Sequence, residues 1–389
     1  MTDFDDIRPY NDDEAVQAIQ RIISNDECLS LIAMLKFPRL FALCPWFIKP
    51  LLRLNLQKKA KVIHSVDDFQ DIVAGYLNKM LAKTTDGLTI RGFENVVSNQ
   101  PCLFLSNHRD IALDPAVTNY ALYNNGLKTV RIAIGDNLLS KPFASDLMRA
   151  NKSFIVKRSL SGPRELLKSL KNLSAYIWHS LKADGENIWI AHREGRAKDG
   201  LDKTEPAVIK MLTIAKPKDT SFSDYINQLN IVPVSISYEY DPCDAMKASE
   251  LRKIELTGSY TKSEHEDMES IGKGIMGSKG HIYVHFGECL KGTYENADAV
   301  AVAIDKAMTR NYQIQPTNVL AYELLYGKDK LAAAFAMSDL FSDEESQYTA
   351  EDSEKFHQRI ADMPDDDTVC ALNIYANPIV NRINVHGQD

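Results

Sequence analysis

From residue 102 to residue 308 short apolar runs alternate with stretches of helical period, and that rhythm confines the chain to layered α/β architectures. The runs at 102–106, 129–134, 153–156, 187–191, 231–237 and 281–286 have strand length and are bounded by turn formers. Between them, helices are expected at 141–149 and from Pro206, and after the last run at 297–308. Another opens at Gly162 and Pro163 and carries Leu166, Leu167, Leu170, Leu173 and Ile177 at helical spacing. The fold class expected is α/β: a mixed sheet flanked by helices, preceded by an N-terminal amphipathic helical element.

That element is set apart by charge. The chain as a whole has a net charge of −8, which disfavours nucleic acid as a partner. Yet no Asp or Glu lies between Cys28 and Val66, where Lys36, Arg39, Lys49, Arg53, Lys58, Lys59 and Lys61 stand among Phe37, Leu40, Phe41, Trp46, Phe47, Leu51 and Leu52. The longest uncharged apolar piece here, 40–48, falls far short of the roughly 20 residues of a membrane span. The pattern suits a segment lying on a lipid surface, with Pro38, Pro45 and Pro50 breaking it into short helices. An amphipathic helix follows at 65–84, with Ser65 and Asp68 as its capping box.

The expected division is an N-terminal helical region, 1–84, containing the basic membrane-contact segment 31–61; an α/β domain, 85–330; and an acidic, loosely packed extension, 331–389. In the last of these, twelve acidic residues from Asp339 onward face only Lys355, Arg359 and Arg382. The six cysteines are scattered without a CxxC, so neither a zinc site nor a disulfide framework is expected. The acidic N-terminus lacks the features of a secretory signal, and a cytoplasmic location is expected, peripheral to the membrane's cytoplasmic face. The glycine-rich stretch 272–280 leads into a strand instead of following one, unlike a phosphate-binding loop, and is expected to be a flexible hairpin. His192, His281 and His285 lack partners at metal-ligand spacing, so no metal is expected.

Chemistry concentrates after the run 102–106. Asn107, His108, Arg109, Asp110 and Asp114 follow a strand end, where α/β proteins place reactive groups. A histidine can take a proton from an attacking hydroxyl while a neighbouring carboxylate holds its other ring nitrogen, so His108 is the candidate base. Asp114 or Asp110 is the candidate orienting acid.

These residues, as Ser106-Asn107-His108-Arg109-Asp110-Ile111-Ala112-Leu113-Asp114-Pro115, resemble the first motif of the glycerol-phosphate and lysophosphatidate acyltransferases. Asp114 lies one residue further from the histidine than is usual in that family. Three more stretches are similar in the same order. Phe154-Ile155-Val156-Lys157-Arg158 resembles the second motif, implying that Arg158 meets the acceptor's phosphate. Arg193-Glu194-Gly195-Arg196 resembles the third, one residue shorter between Gly and Arg, and Ile231-Val232-Pro233-Val234 resembles the fourth.

The resemblance implies catalysis by His108 with Asp114 or Asp110, and substrate binding by Asn107, Arg109, Arg158, Glu194, Gly195 and Arg196. The reaction implied moves a fatty acyl group from acyl-CoA or acyl carrier protein, as substrate and without a cofactor, to lysophosphatidate or a related lyso-lipid or glycerol-phosphate acceptor. The alternative is an inactive, lipid-binding relative of the same shape.

Overall fold

The computed structural model describes residues 4–96, 100–139, 141–160, 162–263, 265–337 and 339–386. In chain order the elements are α1 (Asp12–Ser24), α2 (Asp26–Lys36), α3 (Pro38–Leu43), α4 (Pro45–Ala60), α5 (Val66–Thr84), β1 (Gly87–Arg91), β2 (Leu103–Ser106), α6 (Leu113–Asn124), β3 (Arg131–Gly135), α7 (Pro142–Ala150), β4 (Ser153–Val156) and α8 (Pro163–Lys182). There follow β5 (Ile188–Ala191), α9 (Pro206–Thr213), α10 (Phe222–Gln228), β6 (Ile231–Tyr238), α11 (Asp244–Thr257), α12 (Glu266–Met276), β7 (His281–Phe286), α13 (Ala297–Asn311), α14 (Pro316–Tyr326), α15 (Lys328–Phe335), α16 (Ala350–Ala361) and α17 (Thr368–His386). The chain divides into two compact units that cut across its linear order: Met1–Asn78 with Val130–Tyr176, and Lys79–Thr129 with Ile177–Asp389.

In the first unit β3 and β4 pair in parallel, Ala133 opposite Phe154. Helices α1 and α2 pack against α7 through Ile22, Cys28, Phe143 and Ala144, and Arg21 pairs with Asp146 at 2.7 Å. Leu29 and Ala33 meet Ile48 and Leu52 between α2 and α4. Pro38 and Pro45 open α3 and α4, where the missing N–H is already unused. Pro50 does not break the chain as expected; it lies within α4, which forgoes one hydrogen bond there and continues. These helices leave Leu40, Leu43, Trp46, Phe47, Leu51 and Leu54 exposed. Among the described residues no helix is long and apolar enough to cross a membrane.

The second unit carries a mixed sheet in the order β1, β7, β6, β2, β5. All neighbours are parallel except β6 and β7. Strands β2 and β6 are buried at every position, which is why they read as unbroken apolar runs, whereas β7 alternates. Pro233 has no N–H to give, and it sits just where the β7 ladder stops, at Val234 opposite Phe286. Ser106 lies opposite Ala191 on one side and Val234 on the other, so β2, β5 and β6 run in parallel toward one edge.

Two expectations are overturned in this unit. The 272–280 stretch is not a hairpin loop, because α12 runs through Met276. Its first turn is rich in acids, a Lys273–Glu269 pair spans one turn, and its glycines permit close approach of a neighbour. The acidic C-terminal segment is not loosely packed either. Helix α17 buries Leu372, Ile374, Tyr375 and Ile379 against Val319, Leu320, Phe356 and Ile360. Arg359 bonds to Asp244 at 2.6 Å, and the buried Arg382 to Glu345 at 3.1 Å. The acids lie mostly on exposed faces and connections, so counting charge alone concealed an apolar stripe.

Candidate active site

The site belongs to the second unit and is built from the two segments that leave β2 and β5. Asn107 continues β2. Its amide accepts from the Ile236 N–H at 2.8 Å and donates to the Ile236 carbonyl at 3.0 Å, so the side chain pairs with β6 as a strand residue would. Its Nδ2 also donates to Asp202 at 3.1 Å.

The next residues turn sharply into α6. The Asp110 carboxylate accepts from the N–H groups of Ala112 and Leu113, both at 2.9 Å, and closes that turn. Burial, with the Asp114 charge in support, pushes the Asp110 carboxyl above the usual range. This carboxylate is therefore occupied with the backbone, and the acid beside His108 is Asp114. His108 Nδ1 donates to Asp114 Oδ2 at 2.8 Å. The same oxygen accepts from the Arg109 N–H at 2.6 Å and the Asp110 N–H at 2.9 Å, while Oδ1 accepts from the Tyr238 hydroxyl at 2.8 Å.

Asp114 is fully buried in the first turn of α6, where a negative charge is favoured. Four donors on one carboxylate make it an acceptor only, which assigns the Nδ1 proton to His108, so that the neutral form of the ring has its lone pair on Nε2. The His108 and Trp189 rings meet in a T-shaped arrangement with centroids 5.7 Å apart, and the His108 side chain keeps 14% exposure. In that neutral form Nε2, backed by a buried carboxylate, can receive a proton from a bound hydroxyl.

Asn107 and Arg109, expected to touch substrate, point instead into the protein. The buried Arg109 guanidinium donates to Asp202 Oδ2 at 2.7 Å and to the Gly200 carbonyl at 2.9 Å, and it lies over the Tyr312 ring. Burial works against both charges of that pair. Their mutual attraction works the other way and keeps Arg109 above its ordinary range.

The segment after β5 comes alongside. The His192 N–H donates to the Ser106 carbonyl at 2.8 Å and the Ala197 N–H to the His108 carbonyl at 2.9 Å, which binds the 193–197 turn to the catalytic turn. His192 itself is fully buried; burial, then the charge of Arg193, holds it neutral, well below the ordinary histidine range. Gly195 takes φ +70°, and nothing lies within 4 Å of where a Cβ would stand, so the turn presents open backbone. Glu194 is exposed, and Arg196 is half-buried with its guanidinium donating to Ser270 Oγ at 2.6 Å. Arg158 lies in the first unit, just past β4, with its N–H donating to Asp136 at 3.2 Å. Among the described residues no group of three or more His, Cys, Asp or Glu side chains could hold a metal ion.

The stretch from the first residue of β1 to the penultimate residue of β6 is also the stretch that a known family shares. Residues 87–237 match the family model described as Acyltransferase. This part of the chain is similar to the acyltransferases. Among solved structures, the chain aligns with the 1-acyl-sn-glycerophosphate (LPA) acyltransferase PlsC from Thermotoga maritima. The two are 14% identical over 73% of this chain and 95% of that one, with a TM-score of 0.36. No curated protein matches.

Three residues that complete this hydrogen-bonded site gave no signal in the sequence. Asp202 joins Asn107 to Arg109, Tyr238 holds the far oxygen of Asp114, and Ser270 holds Arg196. Tyr238 and Ser270 both lie beyond the domain's last matched residue, and no motif spacing reaches them.

Proposed function

We propose that the chain transfers a fatty acyl group from a thioester, acyl-CoA or acyl carrier protein, to the hydroxyl of lysophosphatidate or a related phosphate-bearing glycerolipid. The observation that carries this reading is the bond from His108 Nδ1 to the buried Asp114 carboxylate, within a stretch that matches the acyltransferase family model. In the reaction, His108 Nε2 takes the acceptor's hydroxyl proton as its oxygen attacks the thioester carbonyl carbon. A C–O bond forms, the C–S bond breaks, and the leaving thiolate takes the proton back from the imidazolium. Asp114 holds the ring in position and stabilises its transient charge.

Arg196, the open backbone at Gly195 and Glu194 are assigned to the acceptor, the arginine to its phosphate through charge-assisted hydrogen bonds. Anchoring the phosphate fixes where the hydroxyl stands and turns an encounter in solution into an oriented one. The test is an acyl-transfer assay with labelled palmitoyl-CoA and palmitoyl-acyl carrier protein against glycerol 3-phosphate, lysophosphatidate and a panel of lyso-phospholipids. Product is expected with at least one phosphate-bearing acceptor. Donor hydrolysis alone, or no turnover with any of them, would remove the proposal.

The acceptor is a lipid, and helices α2 to α4 offer the means to reach it. Leu43 and Trp46 are 77% and 75% exposed, and Phe47 and Leu51 more than half, on a segment free of acids from Leu29 to Ser65. Apolar side chains in the acyl boundary with lysines and arginines at the headgroups is the arrangement of an interfacial helix. The protein should float with vesicles containing anionic phospholipid and remain behind with purely zwitterionic ones at moderate salt. Replacing Leu43, Trp46 and Phe47 together by serine should abolish flotation without lowering the melting temperature. Flotation by that variant equal to wild type would show that the patch has another purpose.

A further inference from the structure

Helices α11 and α12 form an insertion between the antiparallel strands β6 and β7, entirely beyond the segment that matches the acyltransferase family. Both helices grip the turn that carries Gly195. Lys198 pairs with Glu250 of α11, and Arg196 donates to Ser270 of α12 at 2.6 Å. The same α12 is seated on the catalytic turn, because a Cβ at Gly274 would stand 2.2 Å from Asp110 Oδ2. One helix thus touches the turn that sets His108 and the turn that offers Arg196.

The nature of the contact at Arg196 matters. Arg109 is buried against a carboxylate, whereas Arg196 is held by a neutral hydroxyl, and among the described residues it forms no ion pair. Asp241, whose carboxyl feels the Arg196 charge, is itself paired with the buried Lys247. Ser270 is 2% exposed and fixed from its other side by the Cys243 thiol at 3.4 Å. A guanidinium pinned in direction by one uncharged acceptor keeps its positive charge and its remaining donors, and it loses rotamer freedom before any ligand arrives.

We propose that Ser270 is a positioning residue for acceptor recognition: it pre-orients Arg196 toward the phosphate, so headgroup selectivity depends on the α11–α12 insertion. This rests on the assignment of Arg196 to the phosphate.

The test is steady-state kinetics with lysophosphatidate on Ser270→Ala, Ser270→Thr, Arg196→Ala and the double variant. Ser270→Ala should raise KM about 3- to 10-fold, the span of one modest hydrogen bond, with kcat unchanged; Ser270→Thr, which keeps the hydroxyl, should stay near wild type. Added to Arg196→Ala, the Ser270→Ala change should have no further effect on KM, because its influence passes through the arginine. Additive effects on KM, or a loss of kcat at unchanged KM, would make Ser270 a packing residue and overturn the inference while leaving the function intact. If Arg196→Ala itself leaves KM unchanged, the phosphate assignment fails, and the role of Ser270 with it.

Discussion

Replacing His108 by alanine is expected to lower turnover by about 10²- to 10⁴-fold, the range that a positioned general base supplies, with little change in folding. The direction follows from what the ring touches. Its bonded partner, Asp114, keeps three other donors when the imidazole is gone: the N–H groups of Arg109 and Asp110 and the Tyr238 hydroxyl. The buried carboxylate is therefore not stranded, and α6 retains the turn closed by Asp110. His108 is itself partly exposed, so its removal opens no large cavity in the core. The measurement is a single-turnover rate with saturating acceptor and donor, alongside a thermal melt. A rate within a few-fold of wild type would mean that the proton goes elsewhere. Asp114→Asn should also be slow, for another reason: an amide can leave the ring in the wrong tautomer, with Nε2 carrying the proton.

The parts of this site that could be read from the sequence are local ones. The catalytic turn is a contiguous stretch, so the residue types around His108 announce their chemistry, and the order of strands survives because buried parallel strands are written as short apolar runs. What could not be read is non-local. Tyr238 lies 124 residues from Asp114, and Asp202 lies 93 from Arg109; nothing in spacing predicts that an isolated tyrosine and an isolated aspartate come back to the same turn. Arg109 is the instructive case. An arginine beside a candidate catalytic histidine suggests a substrate-binding residue, but its charge is consumed by a carboxylate that arrives from the segment after β5. The glycines at 272 and 274 misled for a related reason. They read as flexibility, whereas Gly274 is small because Asp110 lies where a side chain would be. β1 leaves no clear apolar run in the sequence, because it is short and only half-buried, with one neighbour in the ladder.

The buried Arg109–Asp202 pair should be the most sensitive point of the scaffold. Asp202→Ala leaves a guanidinium that is 6% exposed with the Gly200 and Ala197 carbonyls and the Tyr312 ring but no anion for partners, and it deprives Asn107 of one acceptor. Breaking a buried ion pair from one side typically costs about 3–5 kcal/mol, a large share of a stability of roughly 5–15 kcal/mol. The melting temperature is therefore expected to fall by on the order of 10 °C, more than for any surface change. The damage should spread to activity, because the backbone of this loop is tied in both directions. The Ala197 N–H bonds to the His108 carbonyl, and Asn377 and Asn381 of α17 donate to the carbonyls of Asp199 and Asp202 at 2.7 and 2.9 Å. Gly200, at φ +83°, passes so close to the Ile374 carbonyl that a Cβ would come within 2.3 Å of it.

The C-terminal helix thus braces the loop that supports the catalytic turn, and Asp202 is where the brace meets the charge. Replacing both partners, Arg109→Met with Asp202→Leu, should recover much of the lost stability, since two apolar side chains leave no unpaired charge behind. Equal melting temperatures for Asp202→Ala and wild type in a denaturation series would show that the guanidinium finds another partner. A double variant no more stable than the single one would show that the loop needs the carboxylate's geometry and not only its charge.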